Sequence, residues 1–141
     1  MKNQDTIQYD STTKKVLVVD DDVHIRELLS LFLQKAGFHV VHATNGAEAC
    51  EILQTASDAP IDVIIVDLMM PVLDGIAFLR WFRNEMKQST PVLVLSGVSA
   101  TNTRNDAYAA GATRLLLKPV RPQEIVTHVQ QMLAGDEPPV S

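Results

Sequence analysis

The side chains of this sequence best suited to chemistry are Asp20, Asp21, Asp22, Asp67, Ser96 and Lys118. They follow short apolar runs. Asp20-Asp21-Asp22 comes after Val16–Val19, and Asp67 after Asp62–Val66. Ser96-Gly97 comes after Val92–Leu95, and Lys118-Pro119 after Arg114–Leu117. Carboxylates gathered at one place repel, so at least one pKa must rise unless a cation intervenes. Mg²⁺ suits such a cluster, because it takes hard oxygen ligands and is content with one or two carboxylates. An Asp beside it can attack phosphorus and become an aspartyl-phosphate. A Ser hydroxyl and a Lys ammonium can then hold the phosphoryl oxygens. Singly, each group has a plainer reading. Asp22 before Val23 is a helix N-cap, Ser96 a loop residue, Lys118 a solvated lysine, and Asp74-Gly75 a turn with an N-cap. Their joint arrival at successive strand ends is what points to a site.

The elements that must position these groups alternate along the chain. Strand-like runs are expected at Val16–Val19, His39–Ala43, Asp62–Val66, Val92–Leu95 and Arg114–Leu117. Helical spacing of apolar residues is expected over Val23–Ala36, Ala47–Ala56, Ile76–Met86, Thr101–Ala110 and Gln123–Ala134. Strands of consecutive apolar residues suit a sheet covered on both faces. Crossovers of a dozen or so residues imply parallel pairing. The expected architecture is an open, doubly wound α/β fold, in which ligands bind beyond the carboxyl ends of the strands. Residues 1–13 and 135–141 lack periodicity and are expected to be tails around one ordered domain, 14–134.

The bulk numbers narrow the function classes. A chain of 141 residues has room for one domain. A net charge of −5 and the lack of any basic run argue against a nucleic-acid surface. The single cysteine, Cys50, excludes an internal disulfide and reads as a small buried hydrophobe. No apolar stretch reaches membrane-spanning length, and residues 1–13 lack a signal-peptide core, so the cytoplasm is the expected location. His24, His39, His42 and His128 show no metal-ligand spacing and are expected to face solvent or cap helices.

The motifs resemble the receiver domain of two-component response regulators, including the chemotaxis regulators. The pieces are Val16–Asp22 with Ile25-Arg26, Val63–Gly75, Pro91–Gly97, Ala110-Gly111-Ala112 and Leu115–Pro119, and the likeness covers Lys15 to Ala134. It implies a flavodoxin-like five-stranded parallel sheet of order 2-1-3-4-5 with five helices. It implies Asp67 as phosphoacceptor, and Asp20, Asp21, Asp67 and the backbone carbonyl of Met69 as Mg²⁺ ligands. Ser96 is implied as the switch hydroxyl and Lys118 as the phosphate-binding lysine, with a cis bond to Pro119. The implied phosphodonor is a sensor histidine kinase or histidine phosphotransferase. The downstream element is an unidentified protein or an output domain outside this chain. A homodimer through the face of the fourth helix, fifth strand and fifth helix fits the same pattern, as does a stand-alone regulator or a piece of a longer protein.

Two positions depart from the familiar pattern. Leu115 stands where many receivers carry an aromatic switch residue, so a leucine would have to follow Ser96, without a hydrogen bond. Met69 stands where a polar residue could position an attacking water. Met69 also argues against a haloacid-dehalogenase-type phosphatase, whose general acid sits two residues after the nucleophile. The three acids after the first strand, with no glycine-rich loop, argue against a nucleotide or flavin module. The chain is thus expected not to be an enzyme. The alternative is a degenerate receiver that serves as a phosphorylation-independent interaction module.

Overall fold

The structure is a computed structural model and describes residues 12–55, 60–70, 72–97 and 101–135. The strands are β1 (Lys15–Val19), β2 (His39–Ala43), β3 (Val63–Asp67), β4 (Val92–Ser96) and β5 (Arg114–Leu117). The helices are α1 (Val23–Lys35), α2 (Gly46–Thr55), α3 (Gly75–Arg80), α4 (Thr101–Ala110) and α5 (Pro122–Ala134). The sheet is parallel throughout, in the order β2-β1-β3-β4-β5. This is the flavodoxin-like arrangement expected from the sequence. The order places β1 and β3 side by side at the centre, where the chain reverses direction across the sheet.

Period-two alternation divides the sheet's side chains between two cores. Leu17, Val19, Ile64, Val66, Val92, Val94 and Leu115 share one cluster with Ala49 of α2, Phe78 and Leu79 of α3, and Ala107 and Ala110 of α4. Val16, Val18, Val63, Ile65, Leu93 and Leu95 share the other with Leu29 and Leu33 of α1 and Ile125, Val129 and Met132 of α5. Burial on both faces is why the central strands read as unbroken apolar runs.

Three boundaries differ from expectation in ways that matter. The β3 strand runs Val63–Asp67 and β4 runs Val92–Ser96, so Asp67 and Ser96 are terminal strand residues rather than loop residues. Their register explains this: Asp67 pairs with Leu95 and Ser96 with Leu117, so the ladder carries both. The third helix, expected as one run over Ile76–Met86, is α-helical only to Arg80 and continues as a π-helical turn, Trp81–Glu85. In that turn Phe82 stays buried and stacks on Phe78 at 5.9 Å. Arg83 is drawn to three carbonyls, Gly111 at 3.0 Å, Gln88 at 3.0 Å and Thr90 at 2.7 Å. Of the expected tails, only Thr12, Thr13 and Gly135 fall within the described residues.

Candidate functional site

The site forms at the carboxyl ends of β1, β3, β4 and β5. On β1, Asp20 follows the last strand residue and is 2% exposed. Its N–H donates to the Ala43 carbonyl at 3.1 Å, and its Oδ1 accepts the Asp22 N–H at 2.9 Å. Asp22 turns the chain into α1 by accepting the His24 and Ile25 amides on Oδ1 at 2.9 and 3.4 Å. Asp22 is thus the N-cap expected of it. Asp21, between them, is exposed.

On β3, Asp67 is 5% exposed. Its Oδ1 accepts the Met69 N–H at 3.1 Å, and its Oδ2 accepts from Lys118 Nζ at 3.0 Å. Lys118 comes from the end of β5, where its N–H bonds the Ser96 carbonyl at 2.7 Å and its bond to Pro119 is cis. Ser96 is fully buried at the end of β4. The Met69 side chain is 67% exposed. Asp74 caps α3 through Ala77 N–H at 2.8 Å, as expected. Gly75 must be glycine for a packing reason: a Cβ there would stand 2.9 Å from the Asp67 carbonyl oxygen and 2.9 Å from Leu68 Cα. The helix start is thereby pressed against the strand end that carries Asp67. Val72, in the same β3–α3 loop, has φ +70° and is 81% exposed, so a β-branched residue there holds a left-handed backbone.

The donor set fits a divalent cation. Carboxylate oxygens of Asp20, Asp21 and Asp67 lie within 4.8 Å of one another. Asp20 Oδ2 is buried with no hydrogen-bond partner among the described residues. Its nearest cation is Lys118 Nζ at 4.0 Å. The Asp20 carboxyl is pushed above its ordinary pKa, first by burial and then by the charges of Asp67 and Asp21, against the lowering pull of the Asp22 N–H and Lys118. Three carboxylates thus face one ammonium, and the oxygen left without a partner is a hard ligand of the kind Mg²⁺ takes.

Elsewhere the structure revises several expectations. Leu115 is 6% exposed and belongs to the core, so it is not itself part of a partner surface. Tyr108 and Leu117, each 43% exposed, are the large hydrophobic residues that α4 and β5 show to solvent. An aromatic group does meet Leu115: the Tyr108 hydroxyl on α4 accepts the Leu115 N–H at 3.1 Å. His128 does not simply face solvent. Its Nδ1 lies 2.9 Å from the buried Arg114 guanidinium, which also bonds Gln131 Oε1 at 2.7 Å. Cys50 is half-buried beside the core, and burial raises its thiol pKa. Arg26, Arg83 and Tyr108 carry bonds that sequence reasoning missed, because bonds to backbone groups leave no spacing pattern to read.

Comparison with known proteins agrees with this geometry. The model of the response regulator receiver domain family matches residues 16–130. Among curated proteins, the chain is 36% identical over 119 residues to the transcriptional regulatory protein ResD of Bacillus subtilis, covering 84% of this chain and 48% of that one. It is 35% identical over 121 residues to SrrA of Staphylococcus aureus, covering 86% and 48%. The chain therefore spans about half the length of these relatives. Among solved structures, the chemotaxis response regulator CheY4 of Vibrio cholerae superposes with a TM-score of 0.77 at 37% identity, over 85% of this chain and 98% of that one. The Francisella response regulator 1452 receiver domain gives 0.80 at 32% identity, over 87% and 98%.

Proposed function

This chain belongs to the response regulator receiver domain family of two-component signalling, and on that premise we propose that it accepts a phosphoryl group on Asp67. The donor is a phosphohistidine of a sensor histidine kinase or histidine phosphotransferase. A carboxylate oxygen of Asp67 bonds to phosphorus as the bond from phosphorus to the donor imidazole breaks. Asp20, Asp21, Asp67 and the Met69 backbone carbonyl are the groups that would hold Mg²⁺. When bound, that ion supplies neutralisation of the charge gathering on the transferring oxygens. Lys118 takes one phosphoryl oxygen with its ammonium, and the Ser96 hydroxyl another.

The observation that carries this reading is the pairing of Lys118 Nζ with Asp67 Oδ2 at 3.0 Å, beside an Asp20 oxygen that is buried and without a partner. Both support the reading: the ammonium would meet the charge of the product, and the oxygen would serve as a ligand for the metal. Phosphorylation then moves Lys118 and Ser96 toward the new oxygens, and the α4, β5 and α5 face shifts population toward an active form. Leu115 takes part from inside that face. A partner, an output domain or a second copy would meet Tyr108 and Leu117 on the outside. Turnover of small phosphoesters is not expected, and residence in the cytoplasm suits a partner kinase. No helix among the described residues is long and apolar enough to cross a membrane.

The test is incubation with acetyl phosphate and MgCl₂, followed by intact mass measurement. One phosphoryl adduct is expected, abolished by EDTA. No adduct under any metal condition would remove the proposal.

A further inference from the structure

Behind the acidic rim stands a basic residue that the transfer does not use. Arg26, in the first turns of α1, reaches back so that its NH1 donates to the backbone carbonyl of Asp20 at 2.6 Å. Its own N–H closes the first helical turn on the Asp22 carbonyl at 3.1 Å. The guanidinium is placed for this one carbonyl at some cost, because Arg26 Nε is buried and has no hydrogen-bond partner among the described residues.

The consequence lies in Asp20. Its N–H is held by Ala43 at 3.1 Å, its Oδ1 by Asp22 at 2.9 Å and its carbonyl by Arg26 at 2.6 Å. Among the described residues only its Oδ2 lacks a hydrogen-bond partner, with Lys118 Nζ 4.0 Å away. With the peptide units on both sides of Asp20 held and its Oδ1 engaged, Asp20 has little freedom to turn that oxygen away from Asp21 and Asp67. We propose that Arg26 is a positioning residue for the divalent cation, setting the strand-end turn that aims the Asp20 and Asp21 carboxylates at one point. This rests on the reading of Asp20 and Asp21 as the metal pair.

Two effects of the guanidinium oppose each other, which makes the idea testable by sign. Its positive charge reaches the neighbourhood, since it contributes to holding the His42 pKa below its ordinary value, behind burial. That charge repels a metal cation, so its loss alone would tighten Mg²⁺ binding, by about tenfold at most for a solvent-screened charge. Its hydrogen bond orients a ligand, and losing an outer partner of a metal ligand typically weakens binding about 10–100-fold.

The experiment is calorimetric titration of MgCl₂ into the unphosphorylated full chain, wild type against Arg26→Met and Arg26→Lys, with metal-free melts as the control of folding. Arg26→Met removes charge and donor but keeps the aliphatic stem. It is expected to bind Mg²⁺ about tenfold more weakly, and Arg26→Lys, which keeps a charged donor, to recover part of that loss. An Arg26→Met affinity equal to or tighter than wild type, or an equal loss in Arg26→Lys, overturns the proposal. If Arg26→Met does not fold, Arg26→Lys is compared with Arg26→Gln. Tighter binding by Lys supports positioning, and equal or tighter binding by the neutral Gln overturns it. A wild-type chain that takes up no Mg²⁺ would instead remove the metal-pair reading itself, a result distinct from any of these.

Discussion

Lys118 and Asp67, 51 residues apart in the chain, meet at 3.0 Å across the end of the sheet. The same ammonium stands 4.0 Å from Asp20, so one cation offsets two buried carboxylates. Replacing it by Met leaves both without that offset. Breaking a fully buried pair costs about 3–5 kcal/mol. Lys118 is 29% exposed and partly screened, so Lys118→Met is expected to cost about 1–2 kcal/mol in metal-free urea melts. An unchanged midpoint would show that the pair adds nothing to the fold.

On the proposed reading Mg²⁺ would bind the folded chain and not the unfolded one, and would add stability by mass action. At a hundred times its dissociation constant the gain is about 2.7 kcal/mol. Thermal melts with and without MgCl₂ are expected to show this gain for wild type and to lose most of it in Asp20→Asn and Asp21→Asn. Equal gains in those variants would place the ion elsewhere.

Met69 follows Asp67, the proposed acceptor, by two residues and donates its backbone N–H to Asp67 Oδ1 at 3.1 Å. Its side chain cannot orient a water for attack on the phosphorylated form. Met69→Asn is expected to speed decay of the adduct by about tenfold, short of the ~10²-fold or more that a general base supplies, because an amide can orient a water but not take its proton. The decay of the phosphorylated mass with time measures it, and an unchanged rate would be evidence against this role for position 69.

The Tyr108 hydroxyl accepts the Leu115 N–H at 3.1 Å, tying α4 to the edge strand β5. Tyr108→Phe is expected to lose about 0.5–1.5 kcal/mol and to accelerate hydrogen exchange at the Leu115 amide. Exchange at Leu115 as slow as in wild type would mean that the phenol does not protect it.

Arg114 can only donate, so the contact of its guanidinium with His128 Nδ1 at 2.9 Å requires a neutral ring with its proton on Nε2. Burial, with Arg114 adding to it and Glu124 opposing it, lowers the His128 pKa. His39 and His42 are lowered as well, chiefly by burial. The unfolded chain therefore binds protons first as pH falls. Stability from these groups is full above the unfolded pKa of about 6.5 and declines as pH falls toward the folded values. His128→Gln is expected to flatten part of that decline in denaturant melts between pH 7 and pH 5. An identical profile would remove His128 from the account.

The central geometry was legible because parallel strands buried on both faces announce themselves as apolar runs, and the groups just past their ends must converge. Asp67 and Lys118 could be brought to one rim on that ground, and the resemblance supplied their separate roles. The π-helical turn was not legible, since the bonds of its Arg83 to carbonyls of Gln88, Thr90 and Gly111 leave no spacing pattern in the sequence. Leu115 was read, through the resemblance, as standing in place of the aromatic switch residue on the face of the fourth helix, fifth strand and fifth helix. Its side chain turns instead into the cluster of Ala107 and Ala110, and the neighbouring Tyr108 supplies the aromatic group that β5 lacks. Arg26 was visible only as part of a motif, because its bond to a backbone carbonyl depends on where α1 begins.

The most direct measurement is trapping of the acceptor after exposure to acetyl phosphate and MgCl₂. Borohydride reduces an aspartyl-phosphate to homoserine, and peptide mass spectrometry then locates it. The account predicts homoserine at position 67 and none in a sample treated with EDTA, with no adduct on Asp67→Asn. Homoserine at another aspartate, or an undiminished adduct on Asp67→Asn, would contradict it.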